Sequence, residues 1–442
     1  MAEPPTLQTQ RPRFAKSATT VFANNLAVSV ISLVNVIITA RFLGAAARGD
    51  IALLTTVAGL TSTIALLGVE QSMVNLGGRE PHLRRALASN AVVLTLLLGG
   101  MACLVLGVLL LAFHGLRGDV TLAMFTFAFL AIPVLIGRVY FQALLDAEYR
   151  FRFSNGVRLV APVSGVVLNG ALGVANVLTV TSAMTVWLGG QIVSTLMLVW
   201  YQARKLDGFG RPDRALARRS LTFGAKSHLS HVISLGNWRL DQWFVGSMAG
   251  SRELGYYSVA VSWAESLYIL PAVLRNVQRP DLVRAARREA GRQAAQVFRI
   301  CVLVSVPLTL LAFVAAPFLC TTIFGPDFAA SVDDLRWLLP GTFGIIALRI
   351  LGDALIAQRR PLRVSAATAV ALAFTIALDV TLIPALGGEG AAIASTIAYS
   401  VGGLGIALVF LRTLRVAPVE LLWHPGDLSQ LKGQMRARLR HA

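Results

Sequence analysis

Apolar runs of about twenty residues, repeated along almost the whole chain, constrain what this sequence can fold into more than any other feature. They lie at about 18–42, 50–76, 87–113, 119–145, 154–178, 180–203, 222–248, 254–278, 294–318, 331–357, 362–386 and 388–412. A hydrocarbon core of ~30 Å takes about 20 helical residues to cross. Inside it each backbone amide must be satisfied within the segment, so these runs predict helices. With 55% hydrophobic and 14% charged residues among 442, and a mean hydropathy of +0.67, the chain reads as an all-α polytopic membrane protein of twelve spans. The first run is too long for a signal peptide and is expected to remain as the first span.

A net charge of +18 would suggest nucleic acid in a soluble protein, but its placement argues otherwise. Of 40 Lys and Arg, 31 fall on the side of the N-terminus and 4 on the other, namely Arg41, Arg48, Arg117 and Arg252. By the positive-inside rule both termini are expected in the cytoplasm. The charge is then topology and contact with the anionic inner leaflet, with no nucleic-acid partner. Two cytoplasmic segments read as amphipathic surface helices: 281–292, with Arg284, Arg287 and Arg288 on one face, and the tail, with Leu428, Leu431, Met435 and Leu439.

Much of the expected chemistry is concentrated at residues 221–257. Ser227, Ser230, Ser234, Asn237 and Asp241 are spaced three, four, three and four, so they share one helical face. A carboxylate in a membrane helix faces a partner, a protein interior or water. Asp241 therefore either anchors its helix to a neighbour or holds a cation. Arg239 lies ~160° from Asp241 around the helix and needs another partner. Other polar groups within spans complete a candidate cavity: Asn24, Asn25, Asn35, Arg138, His231 and Arg349. Asp241, Glu70 and His231 are the candidates for ion coupling.

The two halves of the chain resemble each other. A shift of 206 residues lays Gly44-AAAR-Gly49 on Gly250-SREL-Gly255, and Asn35 on Asp241. Six spans per copy keep the same orientation, which implies a parallel repeat with a site between the halves. The expected division is a tail at 1–17, one six-helix bundle at 18–203, a cytoplasmic linker at 204–220, a second bundle at 221–412 and a basic tail at 413–442. Asn35 and Asp241 are expected to face each other across the cavity. There is no GxxxxGK[ST], HExxH or GxSxG, so neither an ATPase nor a hydrolase is expected. Three scattered cysteines suggest neither a disulfide framework nor a metal site, and no cofactor is implied.

The stretches ARFLGAAARGDIAL, NWRLDQWFVGSMAGSRELGYYSVA and IFGPDFAASVDDLRWLLP resemble the polysaccharide-transporter, Wzx-like flippases of the multidrug/oligosaccharidyl-lipid/polysaccharide superfamily. The resemblance covers the chain to about residue 412. It implies two six-helix bundles of MATE-like fold in the bacterial cytoplasmic membrane and no enzymatic activity. It implies a partly cationic cavity, which Arg239, Arg349 and Arg138 would supply. The substrate implied is an undecaprenyl-pyrophosphate-linked oligosaccharide, with a polymerase and assembly proteins as further partners. The alternative on the same fold is an ion-coupled drug or metabolite antiporter. Such exporters usually carry an acid in the first span, where this chain has only Asn24, Asn25 and Asn35.

The topology is directly testable. In a cysteine-free background, a cysteine at 211 is expected to resist an impermeant thiol reagent in intact cells, and one at 249 to react. Rapid labelling at 211 would overturn the twelve-span arrangement.

Overall fold

Hydrocarbon leaves the backbone no partner but itself, and the chain answers with helix. The computed structural model describes residues 7–269, 285–422 and the isolated positions 271, 272, 274, 278, 282, 424 and 426, with side chains from Asn24 onward except at 226, 227 and 230, and no strand occurs among the described residues. The helices are α1 Leu7–Ala65, α2 Val69–Arg79, α3 Arg84–Ala112, α4 Thr126–Ala147, α5 Phe151–Val174, α6 Val180–Lys205, α7 Arg214–Met248, α8 Ser251–Ser266, α9 Arg287–Pro317, α10 Ser331–Leu338, α11 Gly341–Ala357 and α12 Pro361–Leu414.

Among the described residues, seven helices are long and apolar enough to cross a membrane, or eight if the bent pair α10–α11 is one span. Two of them, α1 and α12, greatly exceed one crossing. Each turns at a glycine in a conformation with positive φ, Gly44 at 78° and Gly387 at 57°, and so supplies two legs. Polar α7 and α8, which leads into the incompletely described segment, complete a twelve-span, two-bundle architecture.

Several sequence boundaries shift. Helix α1 begins at Leu7, inside the expected tail. Helix α7 begins at Arg214, inside the expected linker, capped by Asp213 Oδ1, which accepts from the amides of Ala215 at 2.8 Å and Leu216 at 3.0 Å. What remains of the linker is strapped to α3: Asn90 exchanges hydrogen bonds with the backbone of Asp213, and Ser89 donates to Gly210 O at 2.5 Å. The amphipathic tail at 428–440, and Arg284 in the other surface segment, lie outside the described residues.

In a bilayer, lipid is as apolar as leucine, so helices associate through close packing and hydrogen bonds. The seam between the halves shows both. A Cβ on Gly49 would lie 1.6 Å from Ser251 O, and one on Gly255 would lie 2.0 Å from Ala45 O. The contact is reciprocal: Gly49 and Gly255, like Ala45 and Ser251, are 206 residues apart. Around it, Asp119 Oδ2 accepts from Ser251 N at 3.0 Å, and Trp243 Nε1 donates to Leu116 O at 3.1 Å. At the other, basic end, the backbones of Gly68 and Gly224 touch, and His228 Nε2 lies 2.8 Å from Ile64 O. The halves therefore meet at both ends of the molecule.

Gly255→Ala is expected to force the glycine seam apart. Ala45 is 1% exposed, so a cysteine placed there should be nearly silent to a thiol reagent in the parent and label at least several-fold faster beside Gly255→Ala. Equal labelling in the two backgrounds would show that this contact does not hold the halves together.

Candidate functional site

Helix α7 carries polar groups on two faces, and they look into different halves of the molecule. The first face turns into the second bundle. Asn237 Oδ1 accepts from Thr375 Oγ1 at 3.0 Å, and its carbonyl accepts from Tyr399 Oη at 2.8 Å. One turn on, Asp241 is 4% exposed. Its carboxylate accepts from Tyr257 Oη at 2.5 Å, from Gln242 N at 2.7 Å and from Ser395 Oγ at 3.4 Å. Asp379, on the first leg of α12, lies within electrostatic reach of Asp241. It is completely buried, and both its oxygens lack a hydrogen-bond partner. A cavity of about 30 Å³ touches Asp241, Tyr257, Glu265, Tyr268 and Tyr399, room for one small guest such as a water. A buried carboxylate without donors, as at Asp379, is a costly arrangement unless a proton or cation offsets its charge.

The second face of α7 looks to the first half and to α8. Gln242 Oε1 accepts from Thr56 Oγ1 at 3.1 Å. Arg239 pairs with Glu265 at 3.1 Å, with side chains 36% and 31% exposed. Arg48, from the second leg of α1, is within electrostatic reach of Arg239. It is 9% exposed, and its buried Nε has no hydrogen-bond partner. Arg349 of α11 stacks 4.1 Å from the Trp238 ring centroid, and Trp238 in turn lies 5.7 Å from Tyr268. Cations from both halves thus gather along α7, Arg239 away from its acid face and Arg349 beside the Asp241 cavity, which Trp238 also lines.

Asn35, expected to face Asp241 across the cavity, makes its side-chain hydrogen bond within the first bundle. Asn35 Oδ1 accepts from Asn169 Nδ2 at 2.9 Å, and its amide group packs on Gly165, so it faces the interior of the first bundle. Each polar residue turns inward into its own bundle, because repeat-related positions bear the same relation to their own copy rather than to each other. Arg138 also belongs to the first bundle, within reach of Arg158 and with a partnerless buried Nε. Asn24 and Asn25 are half-buried on the first leg of α1, each with one unpartnered atom. Glu70 lies near His228 at the basic-end contact, whereas His231 and Ser234 are exposed. The side chains of Ser227 and Ser230 lie outside the described residues.

Comparison with known proteins identifies this framework. The family described as "Polysaccharide biosynthesis protein" matches residues 38–333. The chain belongs to that family. No curated protein matches. Among solved structures, the lipid II flippase MurJ in an inward closed conformation is similar with a TM-score of 0.72 at 14% identity, covering 91% of this chain and 88% of that one. An inward-facing MATE multidrug transporter of the MOP superfamily gives 0.67 at 14% identity, over 88% and 94%. MATE in its bent conformation gives 0.60 at 13%, over 91% and 95%. The fold is that of these transporters.

Within this family member, sequence reasoning left two groups out of the site. Arg48 counts as a loop residue when hydropathy alone sets the second span, since the helix resumes immediately after Gly44. Asp379 stands alone in an apolar span, the signal that singles out an intramembrane acid, but its proximity to Asp241 is tertiary.

Removing the Tyr257 hydroxyl leaves Asp241 short of its closest donor. Tyr257→Phe is expected to cost about 1.5–3 kcal/mol, the range for hydrogen bonds to charged groups. The check is a lowered unfolding midpoint of the purified protein, with helical circular dichroism retained. An unchanged midpoint would mean that the carboxylate does not depend on this bond.

Proposed function

We propose that this chain flips an oligosaccharide carried on undecaprenyl pyrophosphate from the inner to the outer leaflet of the bacterial cytoplasmic membrane. On this reading both termini are cytoplasmic, and the bundles at 18–203 and 221–412 alternate access around the arginine site. The observation that carries it is Arg239 of α7, ion-paired with Glu265 and within electrostatic reach both of Asp241 and of Arg48 from the other half. Arg48 keeps a buried Nε without a partner, a donor open to an anion. The planar guanidinium fork binds two phosphate oxygens at once, which suits pyrophosphate. Family membership and the transporter fold support the reading.

The physical task is to carry a multiply charged headgroup past hydrocarbon, where even one charge costs several kcal/mol. On this reading Arg239 and Arg349 would meet the head as the bundles part, while the prenyl tail stays in lipid. No phosphate-cradling loop exists to use ATP, so an ion gradient or removal of product supplies the direction. Asp241 and Asp379 are the coupling pair: cation or proton occupancy relieves their repulsion and draws α7 toward α12. Because Arg239 rides on the opposite face of α7, the same helix senses the ion and presents the arginine. Glu70 and His231 are not needed for this step. A polymerase and assembly proteins would receive the flipped product.

Asp241→Asn keeps the shape of the side chain and removes its charge. Normal membrane levels with glycan export lost, together with a sodium- or proton-dependent rise in unfolding midpoint that vanishes in Asp379→Asn, are expected. Full export at normal abundance would remove Asp241 from the mechanism. Intact glycan export in a deletion strain, with loss of cationic dye efflux instead, would favour the antiporter.

A further inference from the structure

A second feature lies outside the arginine site, on the flank of the second bundle that faces lipid. The two legs of α12 leave between them a groove of about 450 Å³. Val370 of the first leg and Val401, Gly405 and Val409 of the second form its apolar wall. Val370 is 51% exposed, so the groove opens sideways to the bilayer. Arg363 and Arg412 stand at one end, and no carboxylate lines the groove.

Gly405 makes the groove. A Cβ built there would meet nothing within 4 Å. A glycine in a helix interior costs about 1 kcal/mol relative to alanine. At a helix crossing that cost is repaid by close approach, as at Gly402, where an added Cβ would lie 2.8 Å from Ala371 Cβ. At Gly405, which lines the groove, an added Cβ would enter open space rather than a helix contact.

The arginines are organised around Thr413. Arg363 donates to its hydroxyl and Arg287 to its carbonyl. Arg412, exposed beside them, makes no hydrogen bond or ion pair among the described residues. From Arg412 to Val401 the groove runs ~17 Å at 1.5 Å per residue, about one leaflet of a ~30 Å core. With the termini cytoplasmic, the arginine end sits at the headgroups of the inner leaflet.

We infer that this groove docks the phosphate end of a single-chain polyprenyl diphosphate lipid in the inner leaflet, ahead of its passage to the arginine site. The inference rests on the flippase reading for the identity of the lipid. Charge and shape select it. The paired arginines match a diphosphate of two negative charges better than the single charge of an ordinary anionic phospholipid. A volume in the lower part of the range for small-ligand pockets, one leaflet deep, takes one hydrocarbon chain and not two. The rest of a long prenyl chain stays in the bilayer.

The test uses the purified full chain in detergent, with undecaprenyl diphosphate and phosphatidylglycerol as competing probes read by native mass spectrometry. The wild type is expected to retain the diphosphate lipid about tenfold more strongly than phosphatidylglycerol. Gly405→Leu fills the groove with a better helix former, so folding is preserved and verified by an unfolding midpoint at least as high as the parent's. It is expected to weaken retention tenfold or more. Arg412→Gln should weaken the diphosphate lipid by a similar factor and leave undecaprenol, which lacks the phosphates, unchanged. Wild-type retention in both variants, or phosphatidylglycerol competing equally, would overturn the inference. Retention lost only in Arg239→Gln would place the lipid at the arginine site alone, overturning the groove and leaving the flippase reading intact. Failure of Asp241→Asn to affect export would touch that reading and not groove binding, which is measured without transport.

Discussion

A carboxylate within the hydrocarbon thickness costs several kcal/mol unless something offsets its charge, and α7 carries Asp241 under that constraint. Three donors converge on it, from α7 itself, α8 and the second leg of α12. To bring them together, α7 has to pack with its Asn237–Asp241 face inside the second bundle. Once that face is committed, Arg239 must emerge on the other side, where Glu265 and the first half of the molecule lie. One residue's desolvation thus orients the helix that stands between the halves.

The contact between the halves obeys a different rule. Glycine and alanine let two backbones touch, and in lipid such contacts are what hold helices together. Gly49 against Ser251 and Gly255 against Ala45 leave no room for a side chain on either glycine. Hydrogen bonds from Asp119, Trp243 and His228 flank this backbone packing at the two ends of the molecule. Asn35 with Asn169 and Asp241 with Tyr257 and Ser395 lie within single bundles, whereas Thr56 with Gln242, Asp119 with Ser251 and His228 with Ile64 bridge the halves.

Arginine occurs in two settings that differ in depth and partner. Along α7 the guanidiniums meet a carboxylate, an aromatic ring and each other. At the mouth of the α12 groove Arg363 meets Thr413, with Arg412 exposed beside it. Both are suited to phosphate, and they would serve one substrate at successive stages, first in the leaflet and then between the bundles.

The helical class, the count of spans and the repeat were legible in the sequence because hydropathy and glycine spacing are local properties of the chain. So was the opposition of Asp241 and Arg239, which the helical period alone dictates. Membership of the family was legible from the stretches around Gly44, Asp241 and Gly325. Which way each face turns was not. Asn35 and Asp241 occupy equivalent positions, and nothing along the chain tells whether equivalent residues meet across the pseudo-symmetry axis or turn away from it. Tertiary packing decided that, by giving each polar group donors inside its own bundle. It also decided the partnership of Asp241 with Asp379, the burial of Arg48 and the empty space beside Gly405. All of these depend on distances between residues far apart in sequence, which no local pattern encodes.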